Sequence, residues 1–460
     1  MKIVIAGGGN VGVTIARKLI SENHDLILID DNDSAVNFLR RELDAIVIDG
    51  DALDIKILKK AEVQSADMFI AVTNNDNTNI LSCIMVKKLN PNIVNIAKIQ
   101  NSYKYFYNKQ IEYKDFSIDN MIDPKELSIQ KILTLIEQPE AIDIVDYADN
   151  RVRLVGVKID EDFKYLNLRL RDLAGRDEIF NNIRIVAIYR NDKIIIPSGE
   201  DLILFNDKLY FIGKIEHIER LIKSYFTTKI KFKNIIILGA NQLAEELTEE
   251  LVKRKKNITI IEEDLKKCKQ MSEEFGGISG VSIINGYGTD PSILNEVNIE
   301  KSCFISVSND DEYNVISAAS AKNYNASKTI CLIHNMSLLK IINNMTSIDA
   351  VFSPNILAVG KILSYCRTKN ITSVSTFSEI NAETIDLTIS ENINILNIPL
   401  KNVKFPKGIM IGVIIRGDDI IVPTGEDILM LNDKLILFVL PSAISEVERL
   451  FSRKFFWRFK

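Results

Sequence analysis

The chain has 460 residues, 46% of them apolar, a length and composition that predict about three or four domains with well-buried cores. The 57 Lys and Arg residues nearly balance the 62 Asp and Glu residues, for a formal net charge of −5, which argues against a dedicated nucleic-acid-binding protein. No apolar run approaches the ~20 residues that span a bilayer, no signal peptide is expected, and the five scattered cysteines favour buried thiols in a reducing cytoplasm.

The first thirty residues predict a dinucleotide-binding unit. An apolar strand over 3–6 runs into the glycine turn Gly7–Gly12, and apolar residues then recur at the spacing of a helix face. A second apolar strand over 26–29 ends in Asp30. The glycines permit a tight turn, close approach of a pyrophosphate and close packing of helix on strand. The helix N-terminus attracts phosphates, and Asp30 can accept hydrogen bonds from ribose hydroxyls while repelling a 2′-phosphate.

Strands and helices go on alternating as far as residue 99. Helices are predicted over 34–42, 55–60 and 77–88, and strands over 45–48, 68–73 and 93–99. This order predicts a doubly wound parallel sheet whose ligand crevice lies at the carboxyl ends of its strands. The polar or glycine residues predicted at those ends are Gly7, Asp30, Asp51, Thr73 and Lys98.

Residues 101–140 are predicted to be helical and apolar, either as a crossover helix that packs against a second subunit or as an ordinary domain helix. A smaller α+β module follows. Its predicted elements are strands over 152–157, 184–189 and 209–213, a turn over 198–201 and a closing helix over 215–225.

The chain is a tandem duplication of this two-domain unit. Gly7 and Gly239 are 232 residues apart, as are Asp30 and Glu262. The Pro-x-Gly-Glu-Asp turn of the small module also returns, 226 residues later. The predicted fold is therefore α/β, a Rossmann-like domain followed by a small α+β domain, occurring twice. The predicted boundaries are 1–140, 141–228, 229–370 and 371–460.

The second copy departs from the first at the predicted site. Asn241 and Ala244 replace two of the turn glycines, and Leu332 replaces Lys98. The Asn241 side chain would crowd a pyrophosphate, and one phosphate contact is lost with the lysine. We expect this site to bind more weakly or to prefer a smaller ligand, with Glu262 still able to contact a ribose.

Residues that would form a catalytic or metal site are not evident. The chain has three histidines, of which only His334, after the fifth strand of the second half, lies where site residues are expected. No metal-ligand spacing, nucleophile elbow or GK[ST] phosphate loop is present. Glu200 and Glu426 are interpreted as turn residues or contacts to a small ligand or ion. We therefore predict no catalytic and no metal-binding residues.

Two basic segments remain. Residues 229–233 form a basic linker where motion could be transmitted between domains. Residues 453–460 combine four basic side chains with the only tryptophan, a composition that suits a membrane interface or an acidic partner surface, or packing of the aromatic rings on the last domain.

These motifs, in their duplicated order, resemble the TrkA family of cytoplasmic regulatory subunits of Trk potassium uptake systems. The resemblance covers essentially the whole chain and implies RCK N-terminal (TrkA-N) and RCK C-terminal (TrkA-C) domains. It also implies NAD(H) binding, with ATP or ADP as alternative or additional ligands. The expected partner is a membrane-embedded potassium channel or transporter. It would be gated by a ring of RCK domains from several copies of the chain, located at the inner face of the cell membrane. No nucleic-acid partner is expected.

The resemblance also implies two nucleotide sites. The first would be lined by Gly7, Gly8, Gly9, Asn10, Val11, Gly12, Asp30, Asp51, Thr73, Asn74 and Lys98. The second would be lined by Gly239, Ala240, Asn241, Gln242, Leu243, Glu262, Ser308 and Asn309. Two alternatives stay open, an NAD-dependent oxidoreductase and a regulator of a different cation channel or antiporter.

Overall fold

The computed structural model describes residues 1–22, 24–106, 111–191, 193–226, 232–335, 338–339, 342, 348–366, 371–376, 382–390, 393 and 395–451. The predicted roles of residues 453–460 and of most of the basic linker, 229–231, lie outside the described residues. No helix in the described part of the chain combines the length and apolarity needed to cross a membrane.

The strands and helices are numbered in chain order. The strands are β1 Lys2–Ala6, β2 Asp25–Asp30, β3 Ile46–Asp49, β4 Met68–Ala71, β5 Val94–Lys98, β6 Asn120–Ile122, β7 Ala141–Tyr147, β8 Val152–Lys158, β9 Ile183–Arg190, β10 Lys193–Ile195, β11 Lys208–Lys214, β12 Asn234–Leu238, β13 Asn257–Glu262, β14 Val281–Asn285, β15 Ser302–Ser306, β16 Lys328–Leu332, β17 Ala350–Phe352, β18 Ile371–Thr376, β19 Glu383–Thr388, β20 Ile409–Arg416, β21 Asp419–Ile421 and β22 Lys434–Val439. The helices are α1 Asn10–Ser21, α2 Asp33–Glu42, α3 Ile55–Lys60, α4 Asp76–Leu89, α5 Ser102–Phe106, α6 Pro124–Glu137, α7 Leu170–Leu173, α8 Ile215–Tyr225, α9 Gln242–Lys253, α10 Leu265–Phe275, α11 Pro291–Glu296, α12 Asp311–Asn323, α13 Pro354–Cys366 and α14 Ile444–Phe451.

The first of two compact units comprises Met1–Ser128 and Pro354–Lys369. Its sheet has the order β3-β2-β1-β4-β5-β6, and every neighbouring pair is parallel. The strand order reverses between β1 and β4, which opens a crevice at the carboxyl ends of these strands. The predicted doubly wound parallel sheet is therefore confirmed.

The prediction of a helical segment over 101–140 is wrong. Helix α5 ends at Phe106, strand β6 joins the parallel sheet beside β5, and α6 begins only at Pro124. The Asp123 carboxylate caps α6, accepting the backbone N–H groups of Lys125 and Glu126 at 2.9 and 3.1 Å. A residue before proline disfavours the helical conformation, so the chain leading to Pro124 stays extended and adds a sixth strand.

Helix α13 belongs to the second half of the sequence, yet it packs in the first unit against α1. Val359 and Ile362 of α13 share one buried apolar cluster with Val11, Ile15 and Leu19 of α1. Ile15, Leu19 and Ile362 are completely buried. The core of the first unit is thus completed by a helix that lies more than 300 residues away in the chain.

The second unit comprises Ile129–Ser353 and Asn370–Lys460. It contains the second parallel sheet, in the order β14-β13-β12-β15-β16-β17, which repeats the first strand for strand. It also contains two antiparallel sheets of matching topology, β10-β9-β11-β8-β7 and β18-β19-β22-β20-β21. The duplication inferred from the sequence is therefore present in the fold. Strand β7, at the start of the first antiparallel module, was not predicted from the sequence.

The two antiparallel modules pack on one another inside the second unit. Leu154 and Ile212 of the first module share a buried apolar cluster with Val413 and Ile436 of the second. A Cβ added at Gly412 would lie 2.9 Å from the Ile212 side chain, so the glycine allows the sheets this close approach. Tyr147 also hydrogen-bonds through its hydroxyl to Thr384 across this seam.

Candidate functional site

The turn after β1 has the backbone geometry that the glycine pattern predicts. Gly7 has a φ of +109°, and a Cβ there would come within 2.8 Å of the Thr73 backbone nitrogen. A Cβ at Gly12 would overlap the Gly7 carbonyl oxygen. Only glycine therefore allows both the turn and the close packing of α1 against β1.

Gly9 differs from these two glycines because the space beside it is open. A Cβ at Gly9 would meet no heavy atom within 4 Å. Gly9 is also the N-cap of α1, and no side chain caps this helix. The N-terminal N–H groups of α1, including those of Asn10 and Val11, are therefore available to an external anion, and a pyrophosphate could approach the backbone at Gly9.

Asp30 is fixed at the tip of β2 by the backbone of the glycine turn. Its Oδ2 accepts the Gly8 N–H at 2.6 Å and its Oδ1 accepts the Asn32 N–H at 2.9 Å. A carboxylate offers about four lone-pair positions, so each oxygen keeps capacity for another donor. This half-buried group has the chemistry to receive two ribose hydroxyls.

Two buried residues that the sequence reading missed organise the other side of the crevice. Asn79 accepts the N–H and the hydroxyl of Thr73 at 3.0 and 2.7 Å, and donates to the Lys98 carbonyl at 2.8 Å. Asp76 accepts the N–H groups of Gln100 and Asn101, each at 2.9 Å. Thr73 and Lys98 are thereby brought to one edge of the sheet.

A signal for these two residues was present in the sequence. Asp76-x-x-Asn79 returns in the second half as Asp311-x-x-Asn314. Asn314 donates to the Leu332 carbonyl at 3.1 Å, the bond that Asn79 makes to Lys98. The recurrence of both polar residues across the duplication could have identified them, and the shared bond confirms that Leu332 replaces Lys98.

Lys98 is a buried lysine at the carboxyl end of β5. The residue is only 3% exposed, and burial lowers the pKa of its amine while the charge of Asp76 opposes that shift. A cation with so little access to water gains from an anionic ligand, because the ligand replaces lost solvation. Lys98 is therefore suited to contact a phosphate.

The remaining predicted residues of the first site lie at its rim. The Asp51 carboxylate accepts the Leu53 N–H at 2.8 Å and so stabilises its own turn. Asn74 is exposed directly after Thr73. The ligand contacts assigned to Asp51 and Asn74 stay predictions.

The second cleft repeats the ribose end of the first. Gly239 has a φ of +107°, and the Glu262 carboxylate accepts the N–H groups of Ala240 and Asp264 at 2.7 and 3.0 Å. Ser308 occupies the position of Thr73 and donates its N–H to Asn314 at 2.9 Å. The carboxylate is thus held as Asp30 is held.

The phosphate end of the second cleft is different because Asn241 occupies it. Its Oδ1 accepts the Ala244 N–H at 3.0 Å and so caps α9, while its Nδ2 donates to the carbonyl of Val307 at 2.6 Å and to Asn309 Oδ1 at 3.1 Å. Gln242 and Leu243 form the first turn of α9 behind this cap. The side chain of Asn241 therefore takes the place that is open beside Gly9.

Groups for acid–base or metal chemistry are sparse around the clefts. His334 lies with Nδ1 3.1 Å from Asp311 Oδ1, and its backbone N–H also binds that carboxylate. Glu200 is paired with Arg169 and Arg171, and Glu426 with Lys401, which gives both glutamates a structural role in their turns. Within the described residues, no group of three or more His, Cys, Asp or Glu side chains is arranged to hold a metal ion.

Family models match both halves of the chain. The TrkA-N domain model matches residues 3–124 and 235–354, and the TrkA-C domain model matches residues 154–225 and 385–452. Among curated proteins, Trk system potassium uptake protein TrkA homolog 1 of Methanosarcina mazei is 32% identical, over 98% of this chain and all of the relative. Trk system potassium uptake protein TrkA of Haemophilus influenzae is 30% identical, over 99% of this chain and all of the relative.

A solved structure supports the fold assignment. The crystal structure of the GsuK RCK domain covers 97% of this chain and 94% of its own, with a TM-score of 0.58 and 15% sequence identity. At this identity the similarity concerns the fold. The two family models and the full-length relatives show that the chain belongs to the TrkA family, with a TrkA-N domain followed by a TrkA-C domain in each half.

Proposed function

We propose that this chain is the regulatory subunit of a Trk-type potassium uptake system. The observation that carries the proposal is the relationship to Trk system potassium uptake proteins over both halves of the duplication. The partner is a membrane-embedded potassium channel or transporter. Several copies of the chain form a ring of RCK domains against it, at the inner face of the cell membrane.

The regulatory ligand at the first site is NAD(H). Three features support this assignment: the uncapped N-terminus of α1 for the pyrophosphate, Asp30 for a ribose, and the buried amine of Lys98 for a phosphate. ATP and ADP share the ribose and phosphate groups and are alternative ligands of the same site. One solved structure with this fold, at a TM-score of 0.58 and 15% identity, is a GsuK channel bound to NAD.

Occupancy of this site is the signal, and no chemistry on NAD(H) is needed. Binding can shift the ring between two states only if NAD(H) has different affinities for them. A ligand that contacts both Asp30 and the N-terminus of α1 acts as a signal if the strength of these contacts differs between the two states of the ring. That difference in affinity is the free energy available to gate the transporter.

Affinity purification from native membranes tests the partner. The tagged chain is expected to bring down a potassium channel or transporter subunit, identified by mass spectrometry. Recovery of a different cation channel or an antiporter in its place would favour regulation of that protein and contradict the Trk assignment.

A binding assay tests the ligand. Asp30→Asn removes the charge that receives the ribose, so the affinity for NAD(H) is expected to fall about tenfold or more. The protein should also leave NADH unconsumed in the presence of carbonyl substrates. Steady turnover of NADH would support the oxidoreductase alternative instead.

A further inference from the structure

We infer that the second cleft binds a ribonucleoside that carries no phosphate, a different ligand class from the NAD(H) of the first site. The inference rests on the proposed function in one respect: it takes the second TrkA-N domain to have a ligand-binding cleft like that of the first. Its evidence is a cavity of about 600 Å³, within the usual size range of small-molecule sites. The residues that line the cavity include Asn241, Glu262, Lys267, Tyr287, Asp310 and Tyr313.

One end of this cavity has a fixed carboxylate, Glu262, that could receive a ribose. Glu262 is only 6% exposed, lines the cavity and is held by two backbone N–H groups, one on each carboxylate oxygen. Each oxygen keeps a lone pair for another donor. A buried carboxylate with spare acceptor capacity at a cavity wall suits the vicinal hydroxyls of a ribose.

The phosphate end is closed by two substitutions. Asn241 already satisfies the N-terminus of α9 and spans from Ala244 to the Val307 carbonyl. Leu332 replaces the lysine that would neutralise a phosphate. A pyrophosphate would have to displace the Asn241 cap and would find no cation at the position that Lys98 holds in the first half.

The charge of the residues that line the cavity also disfavours a phosphate. The carboxylates of Glu262, Glu263 and Asp310 line it, and Lys267 is the only cationic side chain among the lining residues. A phosphate would therefore meet net repulsion, which is strong where water is partly excluded. A neutral or cationic nucleoside meets no such penalty.

The cavity also offers a surface for a base. Tyr287 and Tyr313 stand at the positions of Asp51 and Thr78 in the first half. The Tyr313 hydroxyl accepts the Gly288 N–H at 2.7 Å, which fixes that ring, and Tyr287 is 58% exposed beside the cavity. Aromatic rings contribute stacking energy with a planar base. The exchange of an acid and a threonine for two tyrosines favours a nucleoside.

Calorimetric titration of the full chain with adenosine and with AMP tests the inference. Adenosine is expected to bind at least tenfold more tightly than AMP to this cleft. Absence of adenosine binding, or equal or tighter binding of AMP in a chain whose first site is disabled by Asp30→Asn, would overturn it.

Variants in the two halves separate this inference from the proposed function. Glu262→Gln is expected to weaken adenosine binding about tenfold or more and to leave NAD(H) binding unchanged, while Asp30→Asn has the reverse effect. If the wild-type chain binds adenosine but not NAD(H), that result would contradict only the proposed function. Adenosine binding that is insensitive to Glu262→Gln and sensitive to Asp30→Asn would assign adenosine to the first site and refute the inference.

Two further substitutions keep the test independent of folding. Tyr287→Ala changes an exposed side chain and is expected to lower adenosine affinity several-fold without lowering the melting temperature. Asn241→Gly reopens the phosphate end and is expected to raise AMP affinity relative to adenosine. An unchanged preference in Asn241→Gly would contradict the role given to this side chain.

Discussion

Gly9 and Asn241 stand at the N-caps of α1 and α9, the helices that face the two crevices. The glycine leaves its helix uncapped and the space beside it open, whereas the asparagine caps its helix and fills that space. At the scale of single residues, this exchange separates a cleft open to phosphates from one closed to them.

Gly9→Asn should close the first site to phosphates, as the Asn241 side chain is proposed to close the second. NAD(H) affinity is expected to fall more than tenfold because the new side chain occupies the pyrophosphate position. The melting temperature should not fall, since a Cβ meets no atom within 4 Å and asparagine is a good N-cap. Calorimetry and thermal unfolding measure the two effects.

Gly175→Asn is the matched control for this substitution. Gly175 is exposed, and the nearest atom to an added Cβ is the Asp172 carbonyl oxygen at 3.8 Å. It should leave NAD(H) affinity unchanged. Equal affinities in Gly9→Asn and the wild type would contradict the role given to the open N-terminus of α1.

Asp386 is a buried carboxylate in the second antiparallel module. Burial raises its pKa to about 6, opposed by the charge of Lys434. Its Oδ1 has no hydrogen-bond partner among the described residues. Because the folded pKa lies above the ordinary value of 3.8, the ionised form destabilises the fold, and that cost grows as the pH rises from about 4 to above 6.

Asp386→Asn is therefore expected to stabilise the protein at pH 7.5, by up to about 2–3 kcal/mol. The advantage should shrink as the pH falls through 6 and vanish only well below pH 4, where the wild-type carboxyl is protonated in both the folded and the unfolded state. Denaturant unfolding across this pH range measures the difference. A stability difference independent of pH would show that the charge of Asp386 is not its cause.

The sequence predicted some of these residue roles and missed others. Gly7, Gly12 and Asp30 could be predicted because their effects are local to one strand–turn–helix unit. Asp76 and Asn79 could not be found by that pattern, because the partners of Asn79 at Thr73 and Lys98 and that of Asp76 at Gln100 are brought together only when β4, α4 and β5 assemble.

At the scale of elements, α13 is the least local feature of the fold. It supplies Val359 and Ile362 to the core of the first unit, against α1. The helix is apolar enough for its burial to be predicted. Hydrophobic periodicity does not show which helix it packs against, because that depends on the tertiary structure.

Ile362→Ala tests whether α13 stabilises the first unit. The side chain is completely buried, so its truncation is expected to cost about 2–5 kcal/mol. Hydrogen exchange should report the loss in α1 and β1. Ser364→Ala on the same helix, whose hydroxyl donates to the Lys361 carbonyl, is the control and should have little effect. Unchanged protection of α1 in Ile362→Ala would contradict the packing assigned here.

The alternating elements of both parallel sheets could be predicted because buried strands and amphipathic helices have local signatures. Strand β6 could not, since its three residues are too few for a periodic pattern and lie in an apolar stretch that favours a helix. Its extended conformation depends on pairing with β5 and on the helix start at Pro124.

At the scale of the whole molecule, duplication has produced two halves with the same topology and different clefts. The shared strand order keeps Asp30 and Glu262 in equivalent positions. We propose that the exchanges at Gly9 and Lys98 divide the ligands between the halves, so that one chain would respond to two small molecules, each through its own TrkA-N domain.

The central claim is that NAD(H) at the first site regulates potassium uptake. The most direct test measures the flux of potassium or rubidium through the purified partner when it is reconstituted in vesicles with this chain. Addition of NADH is expected to change the flux with the wild-type chain and to have no effect with Gly9→Asn. A flux that is indifferent to NADH when the wild-type chain has bound it would contradict the account.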